Sequence, residues 1–253
     1  MLISEQVAIV PVGVSCLNGF QLDRCASFLG NRFGVDFKIS SSFFKWVIQD
    51  PRYIGKFFDV YVRRKKNISS KDLGIENGGL KCTYLKDTVT WFMHDYLGEG
   101  PEQACPDGTE EDRIQHVVSK YNYLLEKVRK VASVPKRYFI FGNGDLGPLD
   151  WELYRKGYFG WRFSKHDVEN LCDSINKAFP EGENHFIFVA SNRNIIRDLD
   201  CCHIFVTEDS HGFPDLEPEW DVIFSNLPEH ACSRADIAAR NITYLSKLQA
   251  QVA

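Results

Sequence analysis

Residues 7–29 read VAIVPVGVSCLNGFQLDRCASFL, and the change of period inside this stretch sets the architecture. Val7, Ala8, Ile9 and Val10 form a continuous apolar run, the pattern of a buried strand, and Pro11 and Gly13 break it. From Leu17 the apolar spacing becomes helical, through Phe20, Cys25, Phe28 and Leu29, with Gly30 expected as the C-terminal cap. Cys16 falls where the strand hands over to the first helical turn. Unpaired N–H groups and the helix dipole favour negative charge there, so a thiol at that position loses its proton more readily than in bulk water. The plainer alternative is a small buried hydrophobe.

Outward from this stretch, 41–58 is densely aromatic and Pro51 is expected to separate two short helical pieces, with Phe43 and Trp46 in the core. The basic run 61–66 reads as a solvated face. Residues 82–92 alternate and are rich in β-branched and aromatic side chains, as one strand, and lead into Met93-His94-Asp95-Tyr96. A long amphipathic helix over 109–132 carries Ile114, Val117, Tyr121, Leu124, Leu125 and Val128 on one stripe. Thr109 caps it, and it is expected to be a packing helix without chemistry.

The second half alternates between element types. Strands are expected at 138–141, 158–163, 185–190, 203–207 and 221–224, and helices at 149–154, from Ser164 to Phe179, and over 233–248. Continuous apolar strands suit a sheet covered on both faces. The expected fold class is α/β, a mostly parallel sheet flanked by helices in a single globular domain. A subdivision near residue 134 would leave a nucleophile-bearing half, 1–134, and an α/β half, 135–253.

Composition narrows the function classes. Hydrophobic residues make up 44% and charged residues 25%, ordinary for a soluble globular protein, and the net charge of −4 offers no electrostatic case for a nucleic-acid partner. The opening residues lack a basic leader and carry Glu5, so they do not read as a secretory signal, and no segment approaches a membrane span. Cysteines at 16, 25, 82, 105, 172, 201, 202 and 232 have no paired spacing, the pattern of reduced thiols in the cytosol. Cys201-Cys202-His203 is a poor metal site, because neighbours on a strand point to opposite faces. No metal is expected.

Two constellations could carry chemistry. In the first, Cys16 is a nucleophile and His94, remote in sequence at a strand end, holds it as thiolate and moves the proton. Asp95, or Asp145 or Asn143 after a later strand, would orient the ring, and the amides of the 13–16 turn would form an oxyanion hole. In the second, Gly142-Asn143-Gly144-Asp145-Leu146-Gly147 fits G-x-G-x-x-G directly after a strand, with Asp167 twenty residues beyond Gly147 as an acidic ribose ligand. That loop would serve a nucleotide or S-adenosylmethionine. Pro148 at the start of the following helix removes one phosphate-binding N–H. The acidic stretch 208–215, with His211, reads as a solvated polar loop.

The order of these signals resembles a family of bacterial papain-like cysteine peptidases. VPVGVSCLNGFQLDR resembles the family's opening strand, turn and helix, and Ser41-Ser42-Phe43-Phe44-Lys45-Trp46 is similar to its Ser-x-Pro-Phe-Asp-Trp segment, with Lys45 in place of the acidic residue. Phe92-Met93-His94-Asp95-Tyr96 resembles its His-Asp pair, and Glu110-Glu111-Asp112-Arg113-Ile114 its acidic helix. The likeness runs from the first strand to that at 138–141. It implies Cys16 as nucleophile, His94 as its partner, no cofactor, and a peptide or glycan substrate, by hydrolysis or by acyl transfer onto a sugar. A non-catalytic binding protein on the same scaffold is the alternative from another class.

Overall fold

Strand β1 (Leu2–Ile3) runs antiparallel to β2 (Val7–Pro11), the apolar run of the opening stretch. Ser4 closes the turn between them: its Oγ accepts from the Val7 amide at 2.9 Å and donates to the Val7 carbonyl at 3.0 Å. The computed structural model describes residues 1–252 apart from 14–16, 46, 77–80, 93, 96, 99–103, 106, 144–161, 192–194 and 208–216.

The helical part of the opening stretch is two helices, α1 (Leu17–Arg24) and α2 (Ala26–Phe33), parted at Cys25. Gly30 is not the cap. That role falls to Gly34, left-handed at φ 63°, with the Val35 amide donating to the Gly30 carbonyl at 3.0 Å. The reason is steric: a Cβ on Gly30 would lie 2.9 Å from the Val35 carbonyl oxygen, so the missing side chain at 30 makes room for the returning chain. Strand β3 (Lys38–Ile39) then pairs antiparallel with β1.

A second, smaller sheet follows. The aromatic stretch makes one 3₁₀ turn (Phe43–Lys45), strand β4 (Ile48–Gln49) and helix α3 (Pro51–Phe57). Pro51 opens α3, where its missing N–H costs nothing, and buried Asp50 caps it by accepting from the Arg52 amide at 3.0 Å. The helix widens into a π turn over Phe58–Arg63. The basic run beyond is exposed and internally paired, Arg64 with Asp59 at 2.7 Å and Lys66 with Asp72 at 2.7 Å. Strands β5 (Leu73–Glu76), β6 (Cys82–Leu85) and β7 (Thr90–Trp91) complete an antiparallel sheet in the order β4-β7-β6-β5. The single strand expected over 82–92 is therefore a hairpin, turning at Val89 with φ 44°.

Helix α4 (Glu110–Lys130) opens on a reciprocal box between Thr109 and Asp112. Strand β8 (Lys136–Asn143), helix α5 (Lys165–Ala178), strand β9 (Glu183–Ser191) and strand β10 (His203–Thr207) form the parallel part of the molecule. The stretch 221–224, expected as a strand, lies inside helix α6 (Glu217–Ser225). Four apolar residues carry no period of their own; the deciding pattern is Trp220, Ile223, Phe224 and Leu227, all buried at helical spacing. Helix α7 (Arg234–Val252) closes the chain behind Ser233 and Asp236. The helix expected at 149–154 and residues 158–161 of the strand expected over 158–163 lie outside the described residues, and 162–163 stand in no strand.

The main sheet has six strands in the order β10-β9-β8-β2-β1-β3. Pairs β10/β9, β9/β8 and β8/β2 are parallel, and β2/β1 and β1/β3 antiparallel, so the fold is mixed α/β with a mostly parallel sheet flanked by helices. Alternation along the strands splits the core in two. Val10, Phe139, Phe141, Phe186 and Phe188 face α3, α4, α5 and the small sheet, whereas Ile9, Tyr138, Ile140, Ile187 and Val189 face α1, α2 and α6. Among the described residues no helix is long and apolar enough to cross a membrane.

Candidate functional site at the carboxyl ends of the parallel strands

The strands β2, β8, β9 and β10 point the same way, so their carboxyl ends share one edge, where open α/β sheets place ligands. Gly13, Asn143, Ser191 and Thr207 stand at that edge. Cys16, Gly144, Asp145 and Gly147 follow β2 and β8 in the chain and lie outside the described residues, as does the acidic stretch 208–215. Helix α1 starts at Leu17, the residue after Cys16.

Two ion pairs fix α1. Lys45 is bonded to Asp23 from the 3₁₀ turn, with its ammonium 4.7 Å from the centre of the Phe20 ring. On the other side Asp221 of α6 accepts from Arg24 at 2.8 Å and from the Cys25 thiol at 3.4 Å. The Arg24 guanidinium holds the Asp221 carboxyl below its ordinary range. Leu22 and Leu29 anchor the pair of helices in the aliphatic core. Lys45, which stands at an acidic position of the motif discussed above, thus has a partner and a job: it ties the 3₁₀ turn to α1.

His94 sits half-buried on the turn after β7. Next to it Asp95, 3% exposed, points its carboxylate to α4: Lys120 Nζ reaches both oxygens at 2.8 Å, and the Tyr121 hydroxyl donates at 2.8 Å. This carboxylate fastens the backbone that carries His94 to the long helix. Helix α4 is therefore more than the packing helix the sequence indicates; Lys120 and Tyr121 form the seat of the His94 turn. The Tyr121 ring stacks on Phe92 with centroids 4.0 Å apart and meets Phe43 at 5.5 Å. The 3₁₀ turn is thus shared: Lys45 grips α1, and Phe43 touches the aromatic pair beneath His94. The Leu97 carbonyl, bonded by Arg113 at 2.6 Å, holds the far end of the same turn.

The glycine-rich stretch looks different from the side of the sheet. Gly142 lies inside β8, and a Cβ there would fall 1.7 Å from the Val189 carbonyl oxygen, so glycine at 142 is required by the approach of β9. Asn143 is buried and bonds Phe163 in both directions, accepting from its amide at 2.7 Å and donating to its carbonyl at 3.2 Å. Asp167, read as a ribose ligand, accepts from the Ser164 amide at 2.8 Å and closes the N-terminal box of α5. Among the described residues no three His, Cys, Asp or Glu side chains are placed to hold a metal ion.

Sequence reasoning missed Lys120, Tyr121 and Asp23. Lys120 lies beside the apolar stripe of α4 and Tyr121 within it, where it reads as packing alone, and Asp23 gains meaning only through a lysine 22 positions away. Comparison with known proteins finds no family model, no curated protein and no solved structure that matches the chain.

Proposed function

We propose that the chain is a cysteine-nucleophile enzyme of the papain-like kind, a hydrolase or acyltransferase acting on a peptide or an acylated glycan in the cytosol. The Cys16 thiolate adds to the substrate carbonyl, and the His94 imidazolium gives its proton to the departing amine or alcohol. Water, or a sugar hydroxyl, then releases the acyl group from the thioester, with His94 taking the proton back. In this reading the amides of residues 13–16 supply the oxyanion hole, and Asp145 is the candidate to orient the imidazole. Asp95 acts as a positioning residue, through the turn rather than through the ring. The observation that carries this reading is the shared support: α1, which begins directly after Cys16, is ion-paired through Asp23 to Lys45, and Phe43 of the same segment meets the ring of Phe92, just before the turn bearing His94, at 6.2 Å.

The test is selective alkylation. With iodoacetamide across pH 5–9 and peptide mapping, Cys16 is expected to label first among the eight cysteines, with its rate already high at least about one unit below the usual thiol pKa near 8.5. His94→Ala should shift that profile to the ordinary thiol range. Slow labelling of Cys16, indistinguishable from the buried thiols, would overturn the assignment.

A further inference from the structure

Residues 50–72 carry seven cations against three aspartates, a net of +4 in a chain whose total is −4. Folding puts that charge on the outside of one element. Ile54, Phe57, Phe58, Tyr61 and Val62 of α3 and the π turn are buried, whereas Arg52, Lys56, Arg63, Arg64 and Lys65 are exposed. Ion pairs within the segment do not cancel it. Asp59 is shared by the Arg63 and Arg64 guanidinium groups, and Lys66 takes Asp72. Asp87, 3.4 Å from Lys66, is offset by its exposed neighbour Lys86. Lys56, Lys65 and Lys71 are exposed, and no carboxylate among the described residues pairs with them.

The basic face is held from beneath. Helix α3 lies so close to α5 that a Cβ on Gly55 would come within 3.1 Å of Ser174 Oγ and 3.2 Å of the Asn170 carbonyl oxygen. Arg129 of α4 donates to the Tyr61 carbonyl at 2.7 Å and to the Lys66 carbonyl at 2.6 Å. The Asn122 amide bonds the Ile68 backbone in both directions at 2.8 Å. Two side chains of α4 thus fix a loop whose cations are exposed, so the backbone carrying them loses little freedom when they engage a partner.

We propose that this face is a docking surface for an anionic lipid membrane, held by charge at the headgroups without insertion. The make-up of the face selects that partner. No large apolar side chain among the described residues is exposed between positions 50 and 72, and a specific protein interface centres on aromatic or aliphatic anchors. The cations line neither the groove beside α2 and β3 nor that beside the β1–β2 turn, where the surface could enclose a free anion. A layer of anionic headgroups requires neither anchor nor cleft. Each Lys or Arg held near such a surface strengthens association about fivefold.

Sedimentation of the full chain with vesicles tests this, at about 0.1 M salt, where the Debye length is about 10 Å. The expected result is binding to phosphatidylcholine vesicles containing about 30% phosphatidylserine, none to pure phosphatidylcholine, and release on raising the salt to about 0.5 M. Lys56→Gln with Lys65→Asn removes two cations without orphaning a carboxylate, and asparagine suits the left-handed backbone at 65, φ 54°. That pair should weaken partitioning about 25-fold with the melting temperature unchanged. Lys38→Gln with Lys247→Gln, at exposed positions on β3 and α7, should leave it within about twofold. Binding to neither kind of vesicle or to both alike, an equal loss in the two double variants, or capture by poly-glutamate beads but not by vesicles would each overturn the proposal.

Discussion

One face of the central sheet is aromatic and the other largely aliphatic. On the first, Phe139 stacks on Phe179 and Phe186 at 5.6 and 5.9 Å, and rings from the 3₁₀ turn, α3 and α4 continue the layer. On the second, Ile9, Ile140, Ile187 and Val189 meet Leu22, Leu29, Ile223 and Leu227. Large rings bridge the thick side, where α3, α4, α5 and the small sheet must all reach a common core, and short side chains suffice where three helices lie directly on the strands. The candidate site draws on both. Helix α1 is seated on the aliphatic face, and the His94 turn rests on the aromatic one.

That contrast can be broken from the aromatic side first. Phe139→Ala should cost about 4 kcal/mol in urea unfolding, because its ring is fully buried among rings that cannot collapse into the space. The next effect belongs to the aliphatic side, whose margin holds the histidines of β9 and β10. His185, stacked 4.6 Å from the Tyr138 ring, and His203, 8% exposed, both have pKa values lowered by burial, that of His203 to about 4. Below about pH 6.5 the unfolded chain binds a proton that the folded state resists. Stability should thus be full above pH 6.5 and fall toward pH 4 by roughly 2–3 kcal/mol, read as a drop in Tm. His203→Gln should flatten that slope. The smallest effect sharpens the comparison: Ile140→Val, the β8 neighbour of Phe139 on the opposite face, should cost only about 1 kcal/mol.

The parallel strands were legible because 138–141, 185–190 and 203–207 are apolar without interruption, and the long helix because its stripe and its Thr109 cap agree. The errors share a physical cause. At 221–224 the apolar run was shorter than any period, and the helix became visible only with Trp220 and Leu227. At 82–92 the hairpin turns on Lys86-Asp87-Thr88-Val89, which holds neither glycine nor proline, with a valine in left-handed conformation at its end. Gly30 was the nearer candidate cap, but what matters there is contact with Val35, and contact is not written in spacing. At the candidate site, residue types singled out Cys16, which lies outside the described residues, and His94, which stands on the turn after β7. The supports of the His94 turn could not be inferred, since Asp95, Lys120 and Tyr121 are joined only by the path of α4.

Two short strands at one side of the main sheet have a further consequence. The outermost, β3, is two residues long, carries Lys38, and leaves Ile39 59% exposed. An incoming chain would find room for a single rung of backbone pairing beside an ammonium group. The opposite margin, β10, lies against α7, whose Asn241 already bonds the Ile204 amide. With one border only two residues long beside a lysine and an amide of the other already bonded to α7, each margin carries a feature that discourages edge-to-edge pairing with another chain.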